Sequence, residues 1–154
     1  MLVRMSYPQL RLDQQLCFPL YAAGRAVTRV YGLLLSELGL TYPQYLALLA
    51  LWERTEPMAV GDLGSALKLD SGTLSPLLKR LETAGLVLRR RDPQDERRVL
   101  VELTDAGRAM EERAARVPTS LGSALGMTQT QARELSDQLY ELLDSVESYL
   151  SAQA

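Results

Sequence analysis

The chain of 154 residues contains no histidine and only one cysteine, Cys17. Histidine is the commonest general base and metal ligand, so a Cys–His dyad, a Ser–His–Asp triad and a zinc finger are excluded. The sequence also has neither a GxGxxG nor a Walker A motif, which are the usual phosphate-binding loops. We therefore expect a protein that is not an enzyme and that uses no cofactor and no metal ion.

Long apolar runs are missing as well. None approaches the roughly 18–20 residues of a membrane span. The N-terminal stretch MLVRMSYPQL lacks the apolar region, about 7–15 residues long, of a signal peptide. A single cysteine cannot form an internal disulfide. Since 47% of the residues are apolar and 23% are charged, we expect one folded domain in the cytoplasm, with no membrane partner.

The net charge of −2 is unevenly distributed along the chain. Residues 1–59 have five arginines against four acids, and residues 60–101 have eight lysines and arginines against six acids. Residues 102–154 have four arginines against nine acids. Because local fields rather than totals attract phosphates, the middle segment is the candidate for binding nucleic acid.

The N-terminal part is predicted to be helical. Residues 12–38 form one helix-compatible segment, with Asp13 as the candidate N-cap and Gly39 as the stop. Pro19 lies inside this segment, and because proline has no N–H group we expect a kink or a restart there. A second helix, N-capped by the threonine at its start, follows over about residues 41–52.

Two shorter helices then predict a helix-turn-helix. The first spans roughly residues 60–67, and the second runs from near Asp70 to Gly85. The second has leucines at i, i+3, i+4 and i+7, a spacing that predicts a buried stripe. These leucines are Leu74, Leu77, Leu78 and Leu81. Polar and basic residues occupy the opposite face.

A basic hairpin follows directly. The segments LVLRRR and VLVEL predict two strands on either side of the turn DPQDERR, which is the arrangement of a wing. Thr104 caps a helix to about Val117, and Thr128 caps another to Leu150. The last helix has a longer apolar stripe than a small winged domain needs, which predicts dimerisation. The predicted fold class is mainly α, a winged helix-turn-helix with a small β-hairpin wing and N- and C-terminal dimerisation helices.

The candidate DNA contacts lie on the second helix and in the wing. They are Ser71, Thr73, Ser75, Pro76, Lys79, Arg80, Arg89, Asp95 and Arg97. Short polar and forked basic side chains read base edges in the major groove, and a carboxylate at 95 would prepare the guanidinium at 97 for the minor groove. The alternatives are that the Ser and Thr hydroxyls only cap the helix, and that the 95–97 pair is an ordinary surface ion pair.

Three segments together resemble the MarR family of winged-helix repressors. They are LTYPQYLALLALWE, LDSGTLSPLLKRLETAGLVLRRRDPQDERRVLVELTDAGR and LDQQLCFPLYAAGRA. The D-x-R core of the wing is typical of the whole family. The combination of QLCF with TYPQY resembles its organic-hydroperoxide-sensing branch, OhrR. The resemblance covers residues 10–117 in motif detail, and Pro19 departs from the plain helix former expected at its position.

The resemblance implies a redox-sensing repressor that binds a pseudo-palindromic DNA operator as a homodimer. Cys17 would be the sensor, with Tyr31 and Tyr42 as hydrogen-bond partners, and organic hydroperoxide would be the effector. Because the chain has a single cysteine, a small thiol that modifies the oxidised sulfur is a candidate second effector. Three regions of a single domain are then expected: residues 1–40 with the sensor cysteine and a dimerisation helix, residues 41–103 as the winged helix-turn-helix, and residues 104–154 as dimerisation helices.

The spacing of the sensor residues implies a second subunit. Tyr31 lies fourteen residues after Cys17, which on one helix is roughly 21 Å. If Tyr31 serves the thiolate, it must therefore come from the partner subunit. With no second cysteine, the oxidised sulfur would persist as a sulfenic acid, form a mixed disulfide, cyclise to a sulfenamide or over-oxidise, and these fates stay open.

Other functions also stay open at this point. One is a MarR-type repressor released by a small aromatic or phenolic ligand, with a pocket of Tyr21, Tyr31, Tyr42, Tyr45 and Trp52. Another is a thiol peroxidase, although the Thr and Arg neighbours of a peroxidatic cysteine are missing. A third is a winged helix that contacts only protein. Finally, Cys17 itself is open to interpretation as an inert packing residue.

Overall fold

The computed structural model describes residues 7–153. Residues 1–6, on which the expectation of no signal peptide partly depends, lie outside the described residues. The helices are α1 (Cys17–Leu34), α2 (Tyr42–Trp52), α3 (Val60–Leu67), α4 (Ser71–Thr83), α5 (Asp105–Ala114), α6 (Val117–Leu125) and α7 (Gln129–Ser151). The strands are β1 (Met58–Ala59), β2 (Val87–Arg91) and β3 (Val99–Leu103). The chain is divided into two compact units, which are residues 1–117 and residues 118–154.

The predicted fold class is confirmed, with one addition to the sheet. The antiparallel hairpin β2–β3 pairs Val87 with Leu103 and Arg91 with Val99. The sheet has a third strand, β1, and the order is β1-β3-β2. The sequence does not predict β1, because a strand of two residues is too short to show alternation. β3 is therefore the central strand, and β2 is an edge strand.

The start of the first helix differs from the prediction. α1 begins at Cys17 and not near Leu12, because Asp13 lies in a short 3-10 turn and pairs with Arg11 at 2.7 Å. Asp13 is thus not the N-cap of α1. Pro19 is the third residue of α1, where the backbone N–H has no partner within the helix, so it neither kinks nor restarts the helix.

Caps set the other helix boundaries largely as predicted. Thr41 and Gln44 form a capping box at the start of α2, and Thr128 forms another with Gln131 at α7. Thr104 accepts a hydrogen bond from the N–H of Gly107 at the start of α5. These side chains satisfy N–H groups that no residue within the helix can pair. The separate helix α6 was not predicted.

The core of the first unit lies between α2, α4 and the sheet. The predicted leucine stripe of α4 is buried at all four positions, together with Leu48, Leu63 and Val101. Gly107 packs closely on the backbone just before β2, since a Cβ at this position would clash with the carbonyl oxygen of Leu86. This packing fixes α5 against the start of the wing.

The second unit comprises most of α6 and all of α7. In the predicted stripe of α7, Leu143 is half-buried, and the other large apolar side chains along α7 are exposed. They are Leu135, Leu139, Tyr140, Leu142, Val146, Tyr149 and Leu150. In the described part of the chain, none of the helices is both long and apolar enough to cross a membrane.

Candidate nucleic-acid interface and thiol site

α3 and α4 form the predicted helix-turn-helix. The turn between them passes through Lys68, which adopts a left-handed conformation with φ of 55°. The leucines of α4 face the core, and the predicted DNA-contacting residues of this helix are all exposed. These exposed residues are Ser71, Thr73, Ser75, Pro76, Lys79 and Arg80. The helix therefore presents one continuous polar and basic face of the size that a major groove accepts.

Asp70 organises the N-terminus of α4. Its carboxylate accepts a hydrogen bond from the Thr73 N–H at 2.9 Å and another from the Thr73 hydroxyl at 3.1 Å. The bonds from Thr73 lower the pKa of Asp70 below its ordinary value. A Cβ on Gly72 would lie 3.0 Å from the Asp70 Oδ1 atom, so glycine leaves room for this cap. The Thr73 hydroxyl thus has a fixed direction and a lone pair available to an external donor.

The three consecutive arginines of β2 have different partners. The Nη2 atom of Arg89 lies 2.6 Å from Oε2 of Glu82, at the end of α4. Arg90 pairs across the hairpin with Glu102 at 3.1 Å, and Arg91 donates to the carbonyl oxygen of Glu96 at 2.7 Å. Much of the hydrogen-bonding capacity of Arg89 is thus used inside the protein. Its predicted contact with a phosphate stays a prediction.

The wing tip has the geometry that its sequence predicts. The Arg97 Nε atom lies 3.2 Å from Asp95 Oδ1, and the Arg97 N–H donates to the same oxygen at 3.1 Å. The Arg97 side chain is 92% exposed, against 35% for Asp95. The carboxylate therefore orients the Nε end of the Arg97 guanidinium, and the rest of that group projects into solvent.

The thiol lies in the first turn of α1. Cys17 is the first residue of the helix, and its side chain is exposed, so it does not pack in the core of this chain. Tyr31 lies on the same continuous helix, roughly 21 Å further along, and the two are not brought together within one protomer. Among residues 7–153, no group of three or more histidine, cysteine, aspartate or glutamate side chains is placed to hold a metal ion.

Tyr31 belongs to an aromatic cluster on α1 and α2. Its ring stacks on that of Tyr42 with centroids 4.0 Å apart, and Tyr45 follows at 5.9 Å. Burial, followed by the nearby tyrosines and a hydrogen bond with Tyr42, raises the pKa of Tyr31 to about 12. Its hydroxyl therefore stays protonated at neutral pH and is able to donate.

The remaining residues of the predicted aromatic pocket are divided. Trp52 contacts Tyr45 edge to face at 6.2 Å and donates from Nε1 to the carbonyl oxygen of Gly107 at 2.9 Å. Tyr21 instead lies near the N-terminus of α1, where its ring is 5.5 Å from the Arg25 guanidinium. Four of the five rings thus pack against one another, and the ligand pocket stays a prediction.

Sequence reasoning missed Glu82. Its signal was present: a glutamate in the last turn of α4, seven residues before an arginine on the following strand, with Gly85 at a left-handed φ of 72° between them. A tight turn of this kind returns the chain alongside the helix end. The pair of Glu82 and Arg89 is therefore predictable from the sequence only if a tight turn at Gly85 is assumed.

A helix-turn-helix with a buried leucine stripe and an exposed polar face, followed by a basic hairpin, defines a winged-helix DNA-binding protein. A model of the SarA/Rot family of transcriptional regulators matches residues 29–113. The chain is 45% identical over 143 residues to the organic hydroperoxide resistance transcriptional regulator of Bacillus subtilis (strain 168), covering 91% of this chain and 95% of that protein.

Solved structures agree with this classification. The structure of reduced AbfR bound to DNA has a TM-score of 0.75 at 36% identity, covering 90% of this chain and 96% of that one; AbfR is from Staphylococcus epidermidis. A MarR-family regulator from Rhodococcus sp. RHA1 has a TM-score of 0.77 at 27% identity, covering 86% and 95%. The chain belongs to the MarR/SarA family of winged-helix transcriptional regulators, and the family resemblance of its sequence is confirmed.

Proposed function

We propose that this regulator is a repressor that binds a pseudo-palindromic operator as a homodimer and releases it when organic hydroperoxide oxidises Cys17. One observation supports the proposal most: the only cysteine of the chain is exposed in the first turn of α1, in a sequence 45% identical to an organic hydroperoxide resistance regulator. The DNA-bound structure of AbfR supports the operator as the binding partner.

In the proposed DNA complex, α4 enters the major groove and the wing reaches the adjacent minor groove. Thr73 and its serine neighbours meet base edges, and Lys79 and Arg80 meet phosphate or guanine. Arg97 enters the minor groove, where the negative potential is strongest when the groove is narrow. Asp95 accepts two hydrogen bonds from Arg97 and so lowers the conformational entropy that the side chain loses on binding.

We expect Arg97→Ala to weaken operator binding by about 10- to 100-fold, which corresponds to about 1–3 kcal/mol for a specific arginine contact. Asp95→Asn should also weaken operator binding. The substitution removes a negative charge that repels phosphates, but it also releases the Arg97 guanidinium from its ion pair. Fluorescence anisotropy at fixed salt measures both. Arg108→Ala, which removes an exposed arginine on α5, is the matched control for charge. A loss in Arg97→Ala no larger than in this control would contradict the minor-groove contact.

The proposed dimer follows from apolar surface that a single chain leaves uncovered. α1 and the residue before it expose Leu16, Phe18, Leu20 and Leu33, in addition to the apolar stripe of α7. Apolar surface of this extent is typical of a protein interface. A two-fold dimer would place its two α4 helices about one DNA turn apart, roughly 34–36 Å, to match a pseudo-palindromic site.

The proposed sensing reaction requires a thiolate at Cys17. The dipole of α1 favours negative charge near its N-terminus, where Cys17 lies. The sulfur attacks the terminal oxygen of the hydroperoxide, so an S–O bond forms and the O–O bond breaks. The thiol and the hydroperoxide thereby become a sulfenic acid and an alcohol, with the sulfur oxidised and the peroxide reduced. The exposed apolar side chains beside the thiol, Phe18 and Leu20, favour an organic over an inorganic peroxide.

Tyr31 and Tyr42 are proposed to donate hydrogen bonds to the thiolate of the partner subunit. Both hydroxyls belong to the stacked pair on α1 and α2, and the raised pKa of Tyr31 keeps its donor in place. The distance along α1 excludes a contact with the cysteine of the same protomer. An antiparallel arrangement of the two α1 helices would bring each thiol to the tyrosines of the other subunit.

The proposed inactivating product is a mixed disulfide with a small thiol. A chain with one cysteine cannot complete an intrachain disulfide, but the sulfenic acid condenses with an external thiol and releases water. The bulk added at the dimer interface would then alter the spacing of the two α4 helices. A sulfenic acid without the thiol adds only one oxygen, and we expect less release from it.

This proposal is tested by the mass of Cys17 read beside operator release in one sample. Wild-type protein is treated briefly with an organic hydroperoxide, with and without a small thiol. We expect release to follow the mass of the mixed disulfide, with hydrogen peroxide less effective than the organic peroxide. Unimpaired operator binding by protein whose Cys17 is fully modified would contradict the proposed function.

A further inference from the structure

The end of α4 and the first wing strand are joined by one carboxylate. Glu82 accepts hydrogen bonds on both oxygens from Arg89: from the backbone N–H at 3.2 Å, from Nε at 3.1 Å and from Nη2 at 2.6 Å. Both side chains are about one-third exposed. A carboxylate that engages the backbone and the side chain of one residue restrains that residue in position and in direction.

The backbone explains why this contact is available. β2 is an edge strand of the sheet, so one row of its N–H groups has no neighbouring strand. α4 ends in a tight turn, in which the N–H of Gly85 donates to the carbonyl oxygen of Glu82 at 2.9 Å and that of Leu86 donates to Leu81 at 3.0 Å. The turn brings the outward N–H of Arg89 to the Glu82 carboxylate.

We infer that Glu82 is a positioning residue for DNA recognition, which sets the wing at a fixed angle to α4 through Arg89. The wing and α4 must reach two different grooves at once, so their relative angle affects only binding that uses both. This role rests on the proposed DNA interface and is independent of the proposed redox sensing. It also assigns Arg89 to the protein and not to a phosphate.

Two other ion pairs of the wing do not have the same role as the pair of Glu82 and Arg89. Glu102 and Arg90 pair at 3.1 Å within the hairpin, so this pair does not join the wing to α4. Arg98 reaches Asp62 of α3 at 3.5 Å, between side chains that are both more than half exposed, and is expected to add little. The hydrogen bonds from Arg89 lower the pKa of Glu82, as expected for a carboxylate engaged in its charged form.

The direction in which Glu82→Gln changes DNA affinity distinguishes a positioning role of Glu82 from a simple effect of its charge. Loss of a carboxylate beside the DNA face removes repulsion from phosphates, so if Glu82 were only a surface charge, Glu82→Gln would tighten binding to every duplex. As a positioning residue, Glu82 is required for operator binding alone. We expect the ratio of operator to non-specific affinity to fall roughly tenfold in Glu82→Gln, and to change by no more than about twofold in the matched variant Glu102→Gln.

The experiment uses reduced full-length protein. The operator is a duplex that wild-type protein selects from a random-sequence pool, and the non-specific duplex is its shuffled counterpart. Glu82→Asp, which keeps the charge with a shorter reach, should give an intermediate ratio. Arg89→Lys keeps the positive charge but loses the forked donors, so it should match Glu82→Gln, and the double variant should lose no more than either single one.

The outcomes that overturn the assignment are distinct. Operator binding that is unchanged or tighter in Glu82→Gln overturns it. So do losses that add in the double variant, or a wild-type affinity in Arg89→Lys, because either would mean that Arg89 acts on DNA by its own charge. If wild-type protein selects no duplex, the proposed DNA interface fails together with this assignment. Circular dichroism of each variant confirms that the compared proteins are folded.

Discussion

A protein with the substitution Cys17→Ser is expected to bind the operator as tightly as wild type and to stay bound at hydroperoxide concentrations that release wild type completely. Cys17 is exposed and contributes nothing to the buried core, so serine should leave folding and basal binding unchanged. A serine hydroxyl is not ionised at neutral pH and is a poor nucleophile toward peroxide. The response should therefore be lost entirely, while the repressing activity remains.

Titration of the operator complex with organic hydroperoxide, followed by anisotropy, measures this difference. The same titration with a panel of small phenolic compounds in place of peroxide distinguishes a repressor released by oxidation of Cys17 from one released by an aromatic ligand. If a phenol releases both wild type and Cys17→Ser, the aromatic-ligand alternative gains support. Release of Cys17→Ser by hydroperoxide would show that the sensing atom is elsewhere.

The elements that the sequence predicts well are those with a local physical signal. The start of α4 follows from an Asp at the N-cap, and its orientation follows from leucines spaced at one helical turn. Both signals act within a few residues and agree with the tertiary packing. The first turn of α1 is different: Asp13 has the chemistry of an N-cap, but it lies in a 3-10 turn and pairs with Arg11. The helix therefore begins at Cys17, five residues after Leu12.

Contacts that depend on topology could not be predicted in the same way. β1 has only two residues and exists because it pairs with β3, where Met58 is opposite Val101. The contact between Glu82 and Arg89 depends on the direction in which the chain leaves α4. The Asp95–Arg97 pair, in contrast, was predictable because both residues lie within one short turn.

The proposed sensor is the hardest part to predict, because a single chain contains its residues but does not bring them together. Cys17 and Tyr31 lie on one continuous helix, and their separation of roughly 21 Å follows from helix geometry alone. The spacing therefore implies that a second subunit completes the proposed sensor, and one protomer supplies the helix that carries both residues. Only experiments with mixed subunits test the assignment directly.

Tyr31→Phe is expected to slow the oxidation of Cys17 by about 10- to 100-fold, since a hydrogen bond to a charged group contributes about 1.5–3 kcal/mol. Phenylalanine keeps the stack on Tyr42 and removes only the hydroxyl. The rate is measured by mass spectrometry after brief treatment with organic hydroperoxide. Tyr45→Phe, in the same aromatic cluster, is the control for an altered tyrosine that is not assigned to the thiolate.

Mixed dimers then decide which subunit supplies the hydroxyl. One dimer combines a Cys17→Ser protomer with a Tyr31→Phe protomer, so the remaining thiol faces an intact Tyr31 of the partner subunit. The other combines a wild-type protomer with one that has both substitutions, so the remaining thiol has an intact tyrosine only on its own α1. If the hydroxyl acts between subunits, the first dimer should react at the wild-type rate and the second at the slow rate. The opposite order would require a contact across roughly 21 Å of one helix and would overturn the proposed sensor.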